Sequence, residues 1–206
     1  MTSFGVVARL RRVLSQQAGK KVKVGHTGTL DPFATGLMLI VTGKECKNAG
    51  RYTKLDKVYE ATMTLGRTST TGDPEGALTE ISAIEPSRET LEKVLEKFVG
   101  DIEQTPPIFS AIKINGQRAY DLARKGQEIE VPSRRVKIYS IDLLDYSYPE
   151  VKIRAHVGSG TYIRSLAVDI GEALGTGAYC SQLRRMATAE WRVEDARTLA
   201  DFGITN

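Results

Sequence analysis

The chain is organised around one glycine-rich segment, Gly25–Gly36, which reads GHTGTLDPFATG. It lies between a strand-like run at residues 22–24 and an apolar run at residues 37–41. Its three glycines allow positive φ angles and a close approach of the backbone to a ligand. Because Pro32 fixes its own φ and keeps Asp31 out of the helical region, the segment predicts a stiff loop that presents a carboxylate.

The same loop has two other interpretations, a structural turn and a phosphate-binding loop. Glycine-rich loops often only reverse the chain, and Asp before Pro is a common turn residue, so the residue types alone leave a catalytic and a structural Asp31 equally open. A phosphate-binding P-loop is excluded, because Gly36 and Gly43 are two residues too far apart for that motif and Glu45 follows Lys44.

The composition predicts a soluble globular protein. The 206 residues are 41% hydrophobic and 26% charged, which suits one domain with a substantial core. No apolar run approaches the ~20 residues of a membrane span and no signal-peptide pattern opens the chain, so we expect a cytoplasmic protein. The two cysteines (Cys46, Cys180) and the two histidines (His26, His156) are far apart in sequence, so neither a disulfide framework nor a zinc site is expected.

The net charge of +4 and a pI near 9.0 favour an acidic partner. Basic residues cluster along the chain, as expected for a surface that follows phosphates, although each cluster alone could equally be a solvated face. The clustered residues are Arg9, Arg11, Arg12, Lys20, Lys21, Lys23, Lys44, Lys47, Arg51, Lys54, Lys57, Arg134, Arg135, Lys137, Arg184 and Arg185.

Hydrophobic periodicity predicts a mixture of helices and strands. The predicted helices cover residues 3–16, 45–55, 87–98 and 194–199, with a further helix from Thr161, and Ser3 and Ser87 are the expected N-caps. The predicted strands cover residues 37–41, 58–65, 136–144, 151–157 and 181–191. Residues 68–76 predict a polar loop, and residues 113–118 predict a hairpin followed by a short helix over 119–125.

Three segments closely resemble motifs of the TruB family of tRNA pseudouridine synthases, and the resemblance covers almost the whole chain. GHTGTLDPFATG resembles the catalytic motif, which implies that Asp31 is the catalytic carboxylate. KVYEATMTLG resembles the second motif, which implies that the Tyr59 ring lies against the target base. GTYIRSLAVDIG resembles the motif whose arginine, here Arg164, pairs with the catalytic carboxylate.

The same resemblance implies further contacts with the substrate. It places Lys47 facing the substrate, Tyr162 at the base pocket and Leu183 in the pocket lining. For His26, in the catalytic loop, two roles are open: contact with the flipped nucleotide or wedging into the RNA. Residues 104–135 resemble the thumb insertion that grips an RNA stem-loop. Without the resemblance, each of these residues would be assigned to packing or to an ordinary surface.

The resemblance also implies an architecture. We expect an α+β protein with the pseudouridine synthase fold, a mixed and largely antiparallel sheet flanked by helices, as one catalytic domain over residues 1–206. Only Thr2-Ser3 matches the family's Lys-Pro-x-Gly-x-Thr-Ser segment. Either the sequence is a shortened one or the usual first strand is absent. A C-terminal PUA-type domain is expected to be absent because the sequence stops where many members of the family continue into one.

The implied activity is isomerisation of the T-loop uridine of tRNA (position 55) to pseudouridine. This reaction needs no redox agent, so we expect neither a cofactor nor a metal. The T-arm of tRNA is the expected partner, with no obligate protein partner and a monomeric enzyme. One alternative is a non-catalytic module that binds or folds tRNA, and a third and weaker one is an enzyme acting on a small nucleotide.

Overall fold

The structure, a computed structural model, describes residues 1–110, 112–114, 117–118 and 130–204. The chain divides into two compact units, the first made of residues 1–59 and 184–206 and the second of residues 60–183. Two strands, residues 57–65 and 178–188, contribute to both units. The single catalytic domain expected from the sequence stays a prediction.

The described residues form both helices and strands. The helices are α1 (Ser3–Gln17), α2 (Ala49–Thr53), α3 (Arg88–Glu96) and α4 (Ile163–Ala173). Short 3-10 helices cover Gly43–Asn48, Val193–Asp195 and Ala200–Phe202. The strands are β1 (Val24–His26), β2 (Thr35–Gly36), β3 (Ile40–Thr42), β4 (Lys57–Leu65), β5 (Arg67–Ser69), β6 (Leu78–Glu80), β7 (Gly100–Gln104), β8 (Lys113–Ile114), β9 (Gln117–Arg118), β10 (Arg134–Ser147), β11 (Glu150–Val157), β12 (Ala178–Thr188) and β13 (Trp191–Arg192). Among the described helices, none is long and apolar enough to cross a membrane.

In the first unit, α1 packs on the short antiparallel pair β1–β3. A small apolar core joins the helix to the C-terminal segment through Val6, Leu10 and Ile204. Burial of each such side chain stabilises the fold by roughly 1.5–3 kcal/mol. The 184–188 part of β12 pairs with β13 on one side and, in parallel, with β2 on the other, which ties the C-terminal segment to the glycine-rich loop.

In the second unit, the strands follow the order β12, β4, β11, β10, β7. The β10–β11 and β10–β7 pairs are antiparallel, and α3 packs against both β10 and α4. Apolar side chains alternate with polar ones along β11, where Val151, Ile153, Ala155 and Val157 are all buried. The expected α+β class with a mixed, largely antiparallel sheet is confirmed.

Several predicted elements are confirmed with small shifts. The 87–98 helix is α3, and Ser87 caps it by accepting a hydrogen bond from the Thr90 N–H at 3.2 Å. The paired strands at 136–144 and 151–157 are β10 and β11, each longer than predicted. The hairpin at 113–118 is confirmed by the β8–β9 pairing, whereas its turn residues 115–116 and the predicted helix 119–125 lie outside the described residues.

Other predictions were wrong. Residues 37–41 do not form one buried strand, because Leu37 belongs to the loop and β3 begins only at Ile40. Residues 194–199 are not one helix; a 3-10 turn over Val193–Asp195 covers only the start of that segment, and a second one over Ala200–Phe202 follows it.

Three further boundaries differ from the sequence-based expectation. Residues 45–55 divide between a 3-10 helix and α2, and the helix expected from Thr161 begins at Ile163. The N-cap of α1 is Thr2 and not Ser3, since the Thr2 hydroxyl accepts from the Gly5 N–H while Ser3 binds elsewhere.

Candidate active site

The site residues expected from the sequence fall in both units. The first unit contains His26, Asp31, Lys47 and Tyr59, and the second contains Tyr162, Arg164 and Leu183.

In the first unit, the end of the glycine-rich loop depends on Gly36. This residue has φ +101°, and a Cβ placed on it would lie 2.3 Å from the carbonyl oxygen of Arg185. The close approach allows β2 to pair with β12 and lets the Leu37 N–H donate to that same carbonyl at 2.8 Å. Of the three loop glycines, only Gly36 adopts a positive φ, and the backbone that it approaches is the protein's own.

The Arg185 side chain runs beneath the same loop. Only 2% of its surface is exposed, its Nε donates to the Leu37 carbonyl at 2.7 Å, and its Nη2 donates to the Gly28 carbonyl at 3.1 Å. Its assignment to a phosphate-binding surface cluster was therefore wrong. The neighbouring Arg184 points outwards and is exposed, as the alternation along a strand requires.

Ser3 fixes the residue immediately before Asp31. Its Oγ accepts a hydrogen bond from the Leu30 N–H at 2.9 Å and donates to the Leu30 carbonyl at 3.1 Å. The turn then closes through an Ala34 N–H bond to the Asp31 carbonyl at 3.0 Å. Asp31 itself is half-buried. Because of these hydrogen bonds, the backbone that carries its carboxylate is held on both sides.

His26 ends strand β1 at the start of the loop, where it is half-buried and pairs in register with Ile40. Burial, with a smaller contribution from the Arg185 guanidinium, lowers the pKa of His26. Burial therefore favours the neutral imidazole, which can serve as an apolar and hydrogen-bonding surface.

Strand β4 brings two titratable side chains to the first unit. Tyr59 is half-buried, whereas Lys57, two residues earlier, is buried and donates through Nζ to the carbonyls of Thr53 and Leu55. Burial, followed by the nearby Arg185, lowers the pKa of Lys57 to about 8. Lys57 thus caps the end of α2, and its expected place in a phosphate-contacting cluster is wrong. Lys47, by contrast, is exposed and can contact phosphates.

In the second unit, the candidate arginine is buried near the start of α4. Arg164 Nη1 lies 3.0 Å from Asp73 Oδ2 and donates to the Thr71 carbonyl at 2.9 Å, while Nη2 donates to the Phe109 carbonyl at 2.8 Å. Arg164 is therefore not an exposed helix residue, which is what its sequence context favours when the family resemblance is set aside. Its planar donor fork is fixed by a carboxylate and two backbone carbonyls.

Asp73 is held in turn by its own loop. The Thr71 hydroxyl donates to Asp73 Oδ1 at 2.5 Å, and the Glu75 N–H donates to the same oxygen at 3.0 Å. The segment expected to be only a polar loop therefore contains a buried carboxylate. A pattern search misses it because Asp-Pro in a polar stretch looks like an ordinary turn.

A cavity of about 410 Å³ opens beside Arg164 in the second unit. Its lining includes Thr71, Phe109, Ser165, Asp169 and Glu172. Burial, followed by the nearby Glu172 carboxylate, raises the pKa of Asp169 to about 6. The cavity therefore combines a fixed cation with a carboxyl group that is easily protonated.

Tyr162 precedes α4 and is held by a two-point contact with Gln104. The Gln104 amide donates to the Tyr162 carbonyl at 3.1 Å and accepts from its N–H at 2.8 Å. The Arg134 guanidinium lies 5.2 Å from the centroid of the Tyr162 ring. Leu183 is buried with 8% of its surface exposed, so it can contribute an apolar wall.

Sequence reasoning missed Asp73, Gln104 and the true position of Arg185. For Arg185 a signal exists, because it alternates with Arg184 and stands in phase with the buried Leu183 and Ala187. For Asp73 and Gln104 the chain offers no local signal, since both are buried by partners distant in sequence.

Comparison with known protein families identifies two matching family models. The TruB family pseudouridylate synthase (N terminal domain) model matches residues 11–163, and the tRNA pseudouridylate synthase B C-terminal domain model matches residues 164–204. The tRNA pseudouridine synthase B of Phocaeicola vulgatus is 47% identical over 206 residues, covering 98% of this chain and 86% of that protein. The protein of the same name from Fusobacterium nucleatum is 46% identical over 194 residues, covering 94% of this chain and 66% of that protein.

Two solved structures share the fold. A chain of a Cbf5-Nop10-Gar1 complex superposes with a TM-score of 0.70 at 30% identity, covering 93% of this chain and 46% of that one. A chain of an H/ACA RNP bound to a substrate RNA containing 2'-deoxyuridine superposes with a TM-score of 0.71 at 28% identity, covering 98% of this chain and 48% of that one. The chain thus spans just under half the length of each solved chain.

Proposed function

This chain belongs to the TruB family of pseudouridylate synthases, and from that membership we propose its activity. The reaction is isomerisation of the T-loop uridine of tRNA to pseudouridine. The N1–C1′ glycosidic bond breaks, the base turns within its pocket, and a C5–C1′ bond forms. The hydrogen originally on C5 leaves as a proton, so no oxidant, reductant or second substrate is consumed.

The observation that carries this proposal is the anchoring of the loop around Asp31. Ser3 holds the Leu30 peptide next to Asp31, and Arg185 holds the carbonyls of Gly28 and Leu37. A carboxylate that reacts with a sugar or a base must be placed within a fraction of an ångström, and anchoring of this kind supplies that placement. Asp31 is the proposed catalytic carboxylate.

Arg164 is the proposed cationic partner of that carboxylate. A guanidinium within hydrogen-bonding distance stabilises the ionised form of a carboxyl group against the loss of water. The support within the second unit is that Arg164 is already buried and oriented by Asp73, so it can keep its direction without rearrangement during the reaction.

The target base must leave its stack, which costs a few kcal/mol, and must find another surface. Tyr59 is the proposed stacking platform and can also take part in proton transfer at C5. His26 and the exposed Lys47 are proposed to contact the nucleotide and its phosphates. Tyr162 and Leu183 are proposed to complete the base pocket.

The proposed partner is the T-arm stem-loop of tRNA, and the protein is proposed to act as a monomer. Support for an RNA partner comes from exposed cations, which include Arg11 and Arg12 on α1 and Arg135 and Lys137 on β10. The proposed thumb, residues 104–135, would contribute to the same interaction.

Tritium release tests this function most directly. A tRNA transcript labelled with tritium at C5 of uridine should lose one label per molecule to water, because formation of the C5–C1′ bond expels that hydrogen. Asp31→Asn is nearly isosteric but lacks the charge, so it should bind the tRNA and release none. Binding without release by the parent protein would overturn the enzyme and favour the non-catalytic tRNA-binding module.

A further inference from the structure

We propose that Arg185 is a positioning residue, which fixes the loop bearing Asp31 by holding carbonyl groups at both ends of that loop. This inference rests on the proposed function, since it concerns how the carboxylate of that reaction is placed. Arg185 itself needs no contact with the RNA.

The geometry of the side chain is the first support. Nε reaches the Leu37 carbonyl at 2.7 Å and Nη2 reaches the Gly28 carbonyl at 3.1 Å. Both nitrogens belong to one rigid planar group, so the two carbonyls are held at a fixed separation. The loop between them cannot widen without breaking at least one of these bonds.

The main chain of Arg185 holds the same loop. Its carbonyl accepts from the Leu37 N–H at 2.8 Å, within the parallel pairing of Arg185 with Gly36. This pairing reaches only the end of the loop. The side chain adds Gly28, which lies on the other side of Asp31, so that both flanks are tied to one residue.

The cost of burying this charge is the second support. Among the described residues, the acceptors of the Arg185 side chain are neutral carbonyls, and no carboxylate forms a salt bridge with it. Burying a cation in this way costs several kcal/mol, and a methionine of similar volume would fill the space without that cost. Arg185 also lowers the pKa values of His26 and Lys57, a sign that three basic groups are crowded together. Packing alone does not favour an arginine here.

Two measurements on a tRNA transcript distinguish a positioning role from a binding role. Single-turnover kinetics give the rate, and filter binding gives the affinity. Arg185→Gln should lower the single-turnover rate by about 100-fold while the Kd changes less than about threefold, because a displacement of about 1 Å has that effect on a rate. Arg185→Lys keeps the charge but reaches only one carbonyl, so we expect a loss on the order of 10-fold. The exposed Arg88, on α3, supplies a matched charge-removing control, and Arg88→Gln should behave like the parent.

These outcomes decide between positioning and other roles. Rates within threefold of the parent for both Arg185 variants would overturn the inference, as would a Kd that weakens in proportion to the rate. If neither variant folds, Arg185 is a residue of general stability and the inference is also overturned. An inactive parent protein would contradict the proposed function and not this inference.

Hydrogen exchange tests the inference without reference to activity. In Arg185→Lys, the amides of Leu30 and Leu37 should exchange at least about 10-fold faster, because the loop opens more often when one carbonyl is released. In Arg88→Gln, which removes an exposed cation on α3 away from the loop, exchange at both amides should stay at the parent rate. Unchanged protection of the loop in Arg185→Lys would overturn the inference even if the parent protein shows no turnover.

Discussion

Arg164 and Asp73 form a buried ion pair, with Nη1 3.0 Å from Oδ2 and side-chain exposures of only 3% and 5%. The pair joins the first turn of α4 to the loop after β5. Removal of the carboxylate from a buried ion pair is strongly destabilising, because the remaining buried charge loses the counter-ion of that pair. Asp73 therefore sets the direction of Arg164, which is the proposed partner of Asp31.

Asp73→Asn should lower the free energy of unfolding by about 3 kcal/mol, the usual size of the effect when one partner of a buried pair is removed. It should also slow the single-turnover reaction, because Arg164 loses one of its three described hydrogen-bond acceptors. Urea denaturation at pH 7 and tritium release from tRNA measure the two effects.

Glu75→Gln is the matched control, since Glu75 is an exposed carboxylate in the same loop. It should change the free energy of unfolding by less than about 0.5 kcal/mol. An Asp73→Asn protein as stable and as fast as the parent would mean that the ion pair contributes nothing.

The sequence predicts those parts of the fold and site that are determined by residues close together in the chain. The Asp31 loop is predictable because Pro32 restricts the backbone locally and the glycines permit the positive φ that Gly36 adopts. Helix α3 is predictable for the same reason, with its cap at Ser87 and an apolar stripe. Expectations based on local chemistry therefore agree with the fold.

The wrong predictions concern residues whose burial and hydrogen bonds are determined by partners distant in sequence. Ser3 resembles an N-cap, but its hydroxyl binds the Leu30 peptide, and Thr2 caps the helix. Arg185 and Lys57 resemble surface cations, yet each is buried because carbonyl groups surround its donors. The residue type of a lysine or arginine does not reveal that its donors are satisfied internally, and for Arg185 only the alternation along its strand indicates burial. Charge clustering therefore overestimates the RNA-binding surface.

Tyr59→Leu should slow the single-turnover reaction by about 10- to 100-fold, since stacking of a base on an aromatic ring is worth about 1–3 kcal/mol. Tyr59→Phe keeps the ring and should retain nearly the parent affinity for RNA. Tyr146→Leu removes a tyrosine whose hydroxyl donates to the Pro86 carbonyl, and it should affect stability but not rate. Full activity in Tyr59→Leu would assign that ring to the core.

Asp169→Asn should stabilise the protein at pH 7. The pKa of Asp169 is about 6 in the folded state and near 3.8 in the unfolded chain, so the native state binds the proton more tightly. Its contribution to stability is complete below about pH 3.8 and is lost as the pH rises through 6. Because the side chain is partly exposed, we expect a gain on the order of 1 kcal/mol at pH 7, shrinking as the pH falls towards 4.

Urea denaturation of the parent and of Asp169→Asn across that pH range provides the measurement. Glu96→Gln, an exposed carboxylate on α3, should show no pH-dependent difference from the parent. A gain for Asp169→Asn that is the same at pH 4.5 and pH 7 would point to a cause other than the ionisation of this group.

Lys47→Gln should weaken binding to the T-arm stem-loop in a salt-dependent manner. Lys47 is exposed, unlike the buried Lys57, and loss of one phosphate contact flattens the slope of log K against log salt by about 0.7–0.9. At saturating protein the single-turnover rate should stay near that of the parent, because a phosphate contact positions the RNA without taking part in bond exchange. Filter binding across a salt series gives the slope, and Lys93→Gln, an exposed cation paired with Glu89 on α3, should leave it unchanged.

The isolated stem-loop should react nearly as fast as intact tRNA at saturation, since the proposed catalytic and pocket residues all lie within residues 26–183. A stem-loop that binds but does not react would show that recognition needs the rest of the tRNA.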